Sequence, residues 1–246
     1  AVRATNDYAE VGNYNPDARA IIAYNTDSRV TPTVRSNGVL YAQSVPLYGT
    51  ISGTSAVVQL DAWNWEDAAY AADHGIHLNM PSLLARSGGR GGFAAFFNPQ
   101  PAGDPVKRAL EQVASLKTFF REAKAYAAES EHANKNLKYE SVKGLFTGSQ
   151  KLYVHCDIVK EMLIAVDFVK EFGFKVVIVG GSDSWMIADI LRQNNIAVIL
   201  NQLHSLPNVV DDDIDLAVSI WEEIHKDGVE AGYCGSGKAC LTKLET

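Results

Sequence analysis

His155 stands near the end of the short apolar segment KLYVHCD, which begins at Lys151. Two similar segments follow, KVVIVGGSD from Lys175 and AVILNQLHS from Ala197. Their ends carry Gly180-Gly181-Ser182-Asp183 and Asn201, with His204 close behind. Side chains alternate along a strand, so Tyr153 and His155 share one face. Neutral imidazole is the commonest side-chain metal ligand. A lone strand histidine, however, is more often a hydrogen-bonded structural residue. The Gly180–Asp183 turn has two readings. It could offer backbone N–H groups to an anion at a helix N-terminus. Ser182 or Asp183 could equally be a plain helix cap.

Other chemistry-bearing residues are weaker. His74 and His77 lie three apart, but Gly75 between them breaks a helical face, so no helical metal pair is expected. The acidic cluster Asp211-Asp212-Asp213 with Asp215 reads as solvated surface or a helix start before it reads as a cation site. Gly232–Lys238 matches a phosphate loop, yet Ala239 stands where a hydroxyl should hold magnesium, so the match reads as chance. Cys156, Cys234 and Cys240 make no disulfide framework and read as ordinary thiols.

The three segment starts lie 24 and 22 residues apart, the rhythm of a strand–helix unit that builds parallel sheets. In such folds chemistry sits at the C-terminal strand ends. Helices are expected over 157–172, closed by Gly173, and over 184–193. A long helix is expected from Asp104-Pro105 to about Ala133, with Val106, Leu110, Val113, Leu116 and Phe120 at helical spacing. Shorter helices are expected over 137–146 and 216–225. Upstream, residues 39–46 and 56–60 read as strands, with a loop rich in Gly, Ser and Thr between them. Residues 61–74 read as a helix with Asn64 as N-cap and Glu66 and Asp67 in its first turn. The stretch 86–104, rich in Gly and Pro but carrying three phenylalanines, reads as a loop packed on a surface or over a site.

The 246 residues suffice for one large α/β domain. A net charge of −7 argues against a broad nucleic-acid surface. No run approaches the ~20 apolar residues of a membrane span. Neither an initiator Met nor a signal-peptide pattern opens the sequence, so a removed leader or a longer parent product is expected. Composition is ordinary for a soluble globular protein, and no compartment is indicated.

The stretch from Leu152 to Pro207 resembles the imidazolonepropionase-related branch of the amidohydrolase superfamily. Residues 49–68 (GTISGTSAVVQLDAWNWEDA) and 28–39 (SRVTPTVRSNGV) resemble the same branch. The resemblance covers roughly residues 8–216. It implies a metal-dependent hydrolase of amide or related C–N bonds on a (β/α)8 barrel, with a divalent metal, commonly zinc. It assigns the three segments as the fifth, sixth and seventh barrel strands and His155 as a metal ligand. Ser182, Asp183 and His204 would line the substrate rim. The family's His-x-His pair of the first strand is absent, Gly180-Gly181 replaces a second ligand histidine, and the eighth-strand Asp cannot be placed. The expectation is therefore an α/β, partial (β/α)8 TIM-type barrel over residues 1–227, lacking the first strand and the end of the barrel, with an unassigned tail over 228–246. Such a chain would have open strand edges, to be covered by an oligomer, a partner segment or a rearranged sheet. It would bind metal weakly and show little activity, since catalytic zinc usually needs about three protein ligands. A non-catalytic barrel relative acting as a binding or scaffold protein is the alternative. An open-sheet nucleotide-binding enzyme is a weaker third. Small molecules, rather than nucleic acid or membrane, are the expected partners.

Overall fold

The computed structural model describes residues 12–83, 105–129, 134–201, 220, 224–226, 228–235 and 239–241. Among the described residues, eight strands follow one another around a closed ring in chain order. They are β1 (Tyr41–Ser44), β2 (Ile51–Gln59), β3 (Ala69–Asn79), β4 (Lys151–Cys156), β5 (Val176–Gly180), β6 (Ala197–Leu200), β7 (Ala231–Gly235) and β8 (Ala239–Leu241). From β3 to β7 every ladder is parallel. The β1–β2, β2–β3, β7–β8 and β8–β1 ladders are antiparallel. The molecule is thus a partial (β/α)8 barrel in which antiparallel strands complete the circle. The edges expected to stand open pair with each other through Gln43 and Cys240.

The helices are α1 (Val30–Ser36), α2 (Trp65–Ala68), α3 (Pro105–Ala128), α4 (Leu137–Thr147), α5 (Val159–Phe172) and α6 (Ala188–Gln193). In α3, Ala109, Val113, Leu116, Phe120 and Ala123 are buried at steps of three and four, a single apolar stripe. Leu110, expected on that stripe, points to solvent with 53% exposure. Phe120 meets Phe168, Phe172 and Phe174 within 6 Å, centroid to centroid, which joins α3 to α5 and to the approach of β5. This aromatic core lies outside the ring, with Leu152, Val154, Ile178 and Val198 from the outward faces of β4, β5 and β6. The alternate residues Tyr153, Val177, Val179 and Ile199 form a separate buried cluster inside it. Two ends are closed by left-handed glycines, Gly148 after α4 and Gly173 after α5.

Three expectations fail here. Asn64 does cap α2, accepting from the Asp67 N–H at 2.7 Å, but that helix stops at Ala68 and residues 69–79 form the longest strand. Alanine propensity favours helix, yet pairing with β2 on one side, interrupted by bulges, and with β4 on the other outweighs it. The expected loop before residue 56 is part of β2. Its Ser52 and Ser55 are buried and bonded to Asn79 and Gly75, so polar composition there marks a polar interior, while buried Thr54 donates to the Pro16 carbonyl on the opposite face. The tail beyond Gly228, which shows no strong pattern, contributes β7 and β8. Because Ala239 opens an antiparallel strand, the Gly232–Lys238 match lacks the helix a phosphate loop requires. Of the helix expected over 216–225, residues 220 and 224–226 are described, apart from 226 within that span, and all are helical. His204, the acidic cluster at 211–215 and the stretch 86–104 lie outside the described residues. Among the described residues no helix is long and apolar enough to cross a membrane.

Candidate functional site

Within a ladder, paired residues share a face. The registers Gly53–His77–Tyr153–Val177 and Asn79–His155–Val179–Ile199 therefore trace two layers of the barrel interior. His77 and His155 lie near the C-terminal ends of adjacent parallel strands, where barrels of this type carry chemistry. His77 Nδ1 is 2.9 Å from His155 Nε2. The Tyr153 ring stacks on His77, with centroids 4.6 Å apart and planes 3° from parallel. Gln43 Nε2 reaches the far nitrogen of His77, Nε2, at 3.5 Å and donates to Ser55 Oγ at 2.9 Å. Ser55 Oγ in turn donates to the Gly75 carbonyl at 3.1 Å.

Burial sets the protonation of the pair. It lowers the His155 pKa to about 4. Burial first, then the neighbouring His155 and His74, holds His77 well below the ordinary histidine range. Both imidazoles are neutral at pH 7, so each ring carries one lone-pair nitrogen. Two nitrogens of one tetrahedral zinc sit about 3.3 Å apart, so this pair fits two corners of such a site with a few tenths of an ångström of adjustment. Among the described residues, no group of three or more His, Cys, Asp or Glu side chains could hold a metal ion. The fit is thus that of two donors.

The other expected site residues are engaged elsewhere. Asp183 Oδ2 accepts from the Val159 N–H at 3.2 Å and caps α5 from a neighbouring loop, not its own helix. Ser182 Oγ donates to Asp157 Oδ1 at 3.3 Å. The N–H groups of Gly181, Asp183 and Ser184 all donate to carbonyls, of Cys156, Asp157 and Gly181. They leave no cradle for an anion. The glycines themselves are needed: at Gly180 (φ 108°) a Cβ would lie 2.5 Å from Asp157, and at Gly181 (φ 63°) 2.9 Å from Val198. Cys156 is buried, and burial pushes its thiol far up, so it stays protonated and inert.

Sequence reasoning missed His77, Gln43 and Ser55. A signal did exist. In Gly75–Asn79, apolar Ile76 and Leu78 alternate with His77 and Asn79, a strand with one polar face.

No family model and no curated protein sequence matches the chain. A solved structure does. The fold is shared with an amidohydrolase. That structure, an amidohydrolase from Thermotoga maritima MSB8, superposes with a TM-score of 0.71 over 93% of this chain at 18% identity. The chain spans 58% of the length of that protein. At this identity the likeness establishes the fold. It agrees with a partial barrel whose parallel strands correspond to part of a larger one.

Proposed function

We propose that this chain is an amidohydrolase-like, metal-dependent hydrolase of amide or related C–N bonds, of the imidazolonepropionase-related branch. The observation that carries the reading is the His77–His155 pair. Two neutral imidazoles meet at the C-terminal ends of adjacent parallel strands, in a barrel shared with a solved amidohydrolase. The branch rests on the sequence texture of Leu152–Pro207. His77 and His155 would hold a divalent metal, with zinc suited to nitrogen donors. A bound metal would supply activation of a water molecule and polarisation of the scissile carbonyl. The chain's own residues hold the site ready: Tyr153 fixes the His77 ring by stacking, and burial keeps both rings neutral. Ser182, Asp183 and His204 are proposed for the substrate rim beyond β5 and β6. With two donors the metal is held weakly and turnover by the 246-residue chain is low.

The absence of a third donor among the described residues favours a second reading, a barrel relative that binds without catalysis. Metal analysis separates the two. Equilibrium dialysis of the wild-type chain against zinc should give one bound ion per chain, lost in both His77→Ala and His155→Ala. Zinc-free wild type, or zinc retained by both variants, overturns the first reading. Rapid hydrolysis by the zinc-loaded chain would overturn the low-turnover part.

A further inference from the structure

The hydrogen bonds behind the histidine pair have a direction, and a backbone carbonyl sets it. Gly75 C=O can only accept, so the Ser55 hydroxyl proton is committed to it, at 3.1 Å. Ser55 Oγ must then accept, and its partner at 2.9 Å is the Gln43 amide nitrogen. That fixes which way the Gln43 amide faces. The same nitrogen lies 3.5 Å from His77 Nε2 and presents its second hydrogen there. His77 Nε2 is therefore an acceptor, and the ring proton belongs on Nδ1. From Nδ1 it is donated to His155 Nε2, 2.9 Å away. The opposite arrangement would set an N–H of His77 against an N–H of Gln43. Gln43 and Ser55 are 5% and 0% exposed, so no bulk water relieves such a clash.

This order occupies both nitrogens that face each other across the pair. His77 Nδ1 carries a proton, and the His155 Nε2 lone pair accepts it. Coordination at this place needs both lone pairs free, so the His77 proton must move to Nε2. That nitrogen then needs an acceptor where the Gln43 amide nitrogen now stands.

We propose that Gln43 is a positioning residue that holds His77 in its Nδ1–H form against metal, so that metal entry requires the Gln43 amide to turn over and present its oxygen. The metal half of this rests on the function proposed above; the tautomer half does not. An acceptor-only side chain at this position would pre-set His77 for coordination. Outer partners of metal-bound histidines are worth about 10- to 100-fold in affinity.

The test uses the full chain with 15N,13C-labelled histidine, metal-free at pH 7.5, with His77 signals assigned through His77→Asn. Long-range 1H–15N correlation should show His77 protonated at Nδ1 and bare at Nε2. In Gln43→Glu the proton should move to Nε2, and cobalt(II), followed by its visible absorption, should bind about tenfold tighter or more. Gln43→Met, free of a buried charge, should remove the tautomer preference, and it serves where the glutamate variant fails to fold. A wild-type His77 protonated at Nε2 overturns the proposal. So does cobalt affinity unchanged or weakened in a folded Gln43→Glu chain, or an unaltered tautomer in Gln43→Met. Cobalt bound by neither wild type nor Gln43→Glu overturns the metal reading and the coupling with it, while the tautomer spectrum still judges Gln43 itself.

Discussion

The interior of the barrel has two halves of opposite character. On β1 to β4 it carries Gln43, Ser55, His77, Asn79 and His155 beside Val57 and Tyr153; on β5 and β6 it carries only Val177, Val179, Ala197 and Ile199. Both halves are largely closed to water, but different forces order them. The apolar half needs only shape and volume. In the polar half every donor must find an acceptor, so the side chains are chained together from Gly75 to His155. Asn79 forms a separate set, donating to the carbonyl of Gly49 at 2.8 Å and to Ser52 Oγ at 2.9 Å. The apolar half can fill a ring, whereas the polar half can also hold a ligand in a chosen protonation state.

The comparison breaks most visibly if polarity is moved to the wrong side. Val179→Asp places a carboxylate beside His155 in register but among Val177 and Ile199. It should cost about 4 kcal/mol or more, read as loss of a cooperative urea transition. A variant of near wild-type stability would show that the apolar half is wetter than its packing implies.

Acid probes the polar half next. The folded chain keeps His155 neutral with a pKa of about 4, whereas an unfolded histidine takes a proton near 6.5. Below that pH the unfolded state binds more protons, so stability falls as pH drops. The contribution is complete above about pH 6.5 and lost progressively down through pH 4, a loss of about 3 kcal/mol. His77 adds to it in the same direction. Urea midpoints measured between pH 7 and 4 should fall steeply in wild type and less in His155→Asn. Equal slopes would contradict a neutral buried His155.

The smallest expected effect comes from one link of the chain. Ser55→Ala leaves Gln43 without its acceptor and Gly75 without its donor, which should cost about 1–2 kcal/mol by urea titration. An effect near zero would mean that the link contributes nothing net.

The two halves also differ in how far they could be read from sequence. Strands β4, β5 and β6 announce themselves through continuous apolar runs and a regular spacing, because both faces of Val176–Gly180 are buried in apolar surroundings. So does the helix face of α3, save for Leu110. The polar half gives no such signal. Ile51–Ser55 reads as loop because it is rich in small hydroxyl residues, and residues 69–74 read as the end of a helix over 61–74 because alanine outnumbers β-branched residues there. His155 could be singled out on its own strand. His77 could not be joined to it, because 78 residues separate the pair and only the parallel β3–β4 ladder brings them together.

The closure of the ring gives the site a mechanical neighbour. Among the described residues β1 and β8 meet through one register pair, Gln43–Cys240, the narrowest joint in the circumference there. The residue at this clasp is also the one that orients His77. Strand faces alternate, so a slip of β1 by one residue would swing Gln43 from the lumen to the outside and put Ser44 or Ala42 in its place. The hoop and the histidine pair therefore share a hinge pin: loosening the seam anywhere along β1 disarms the tautomer lock without touching either imidazole.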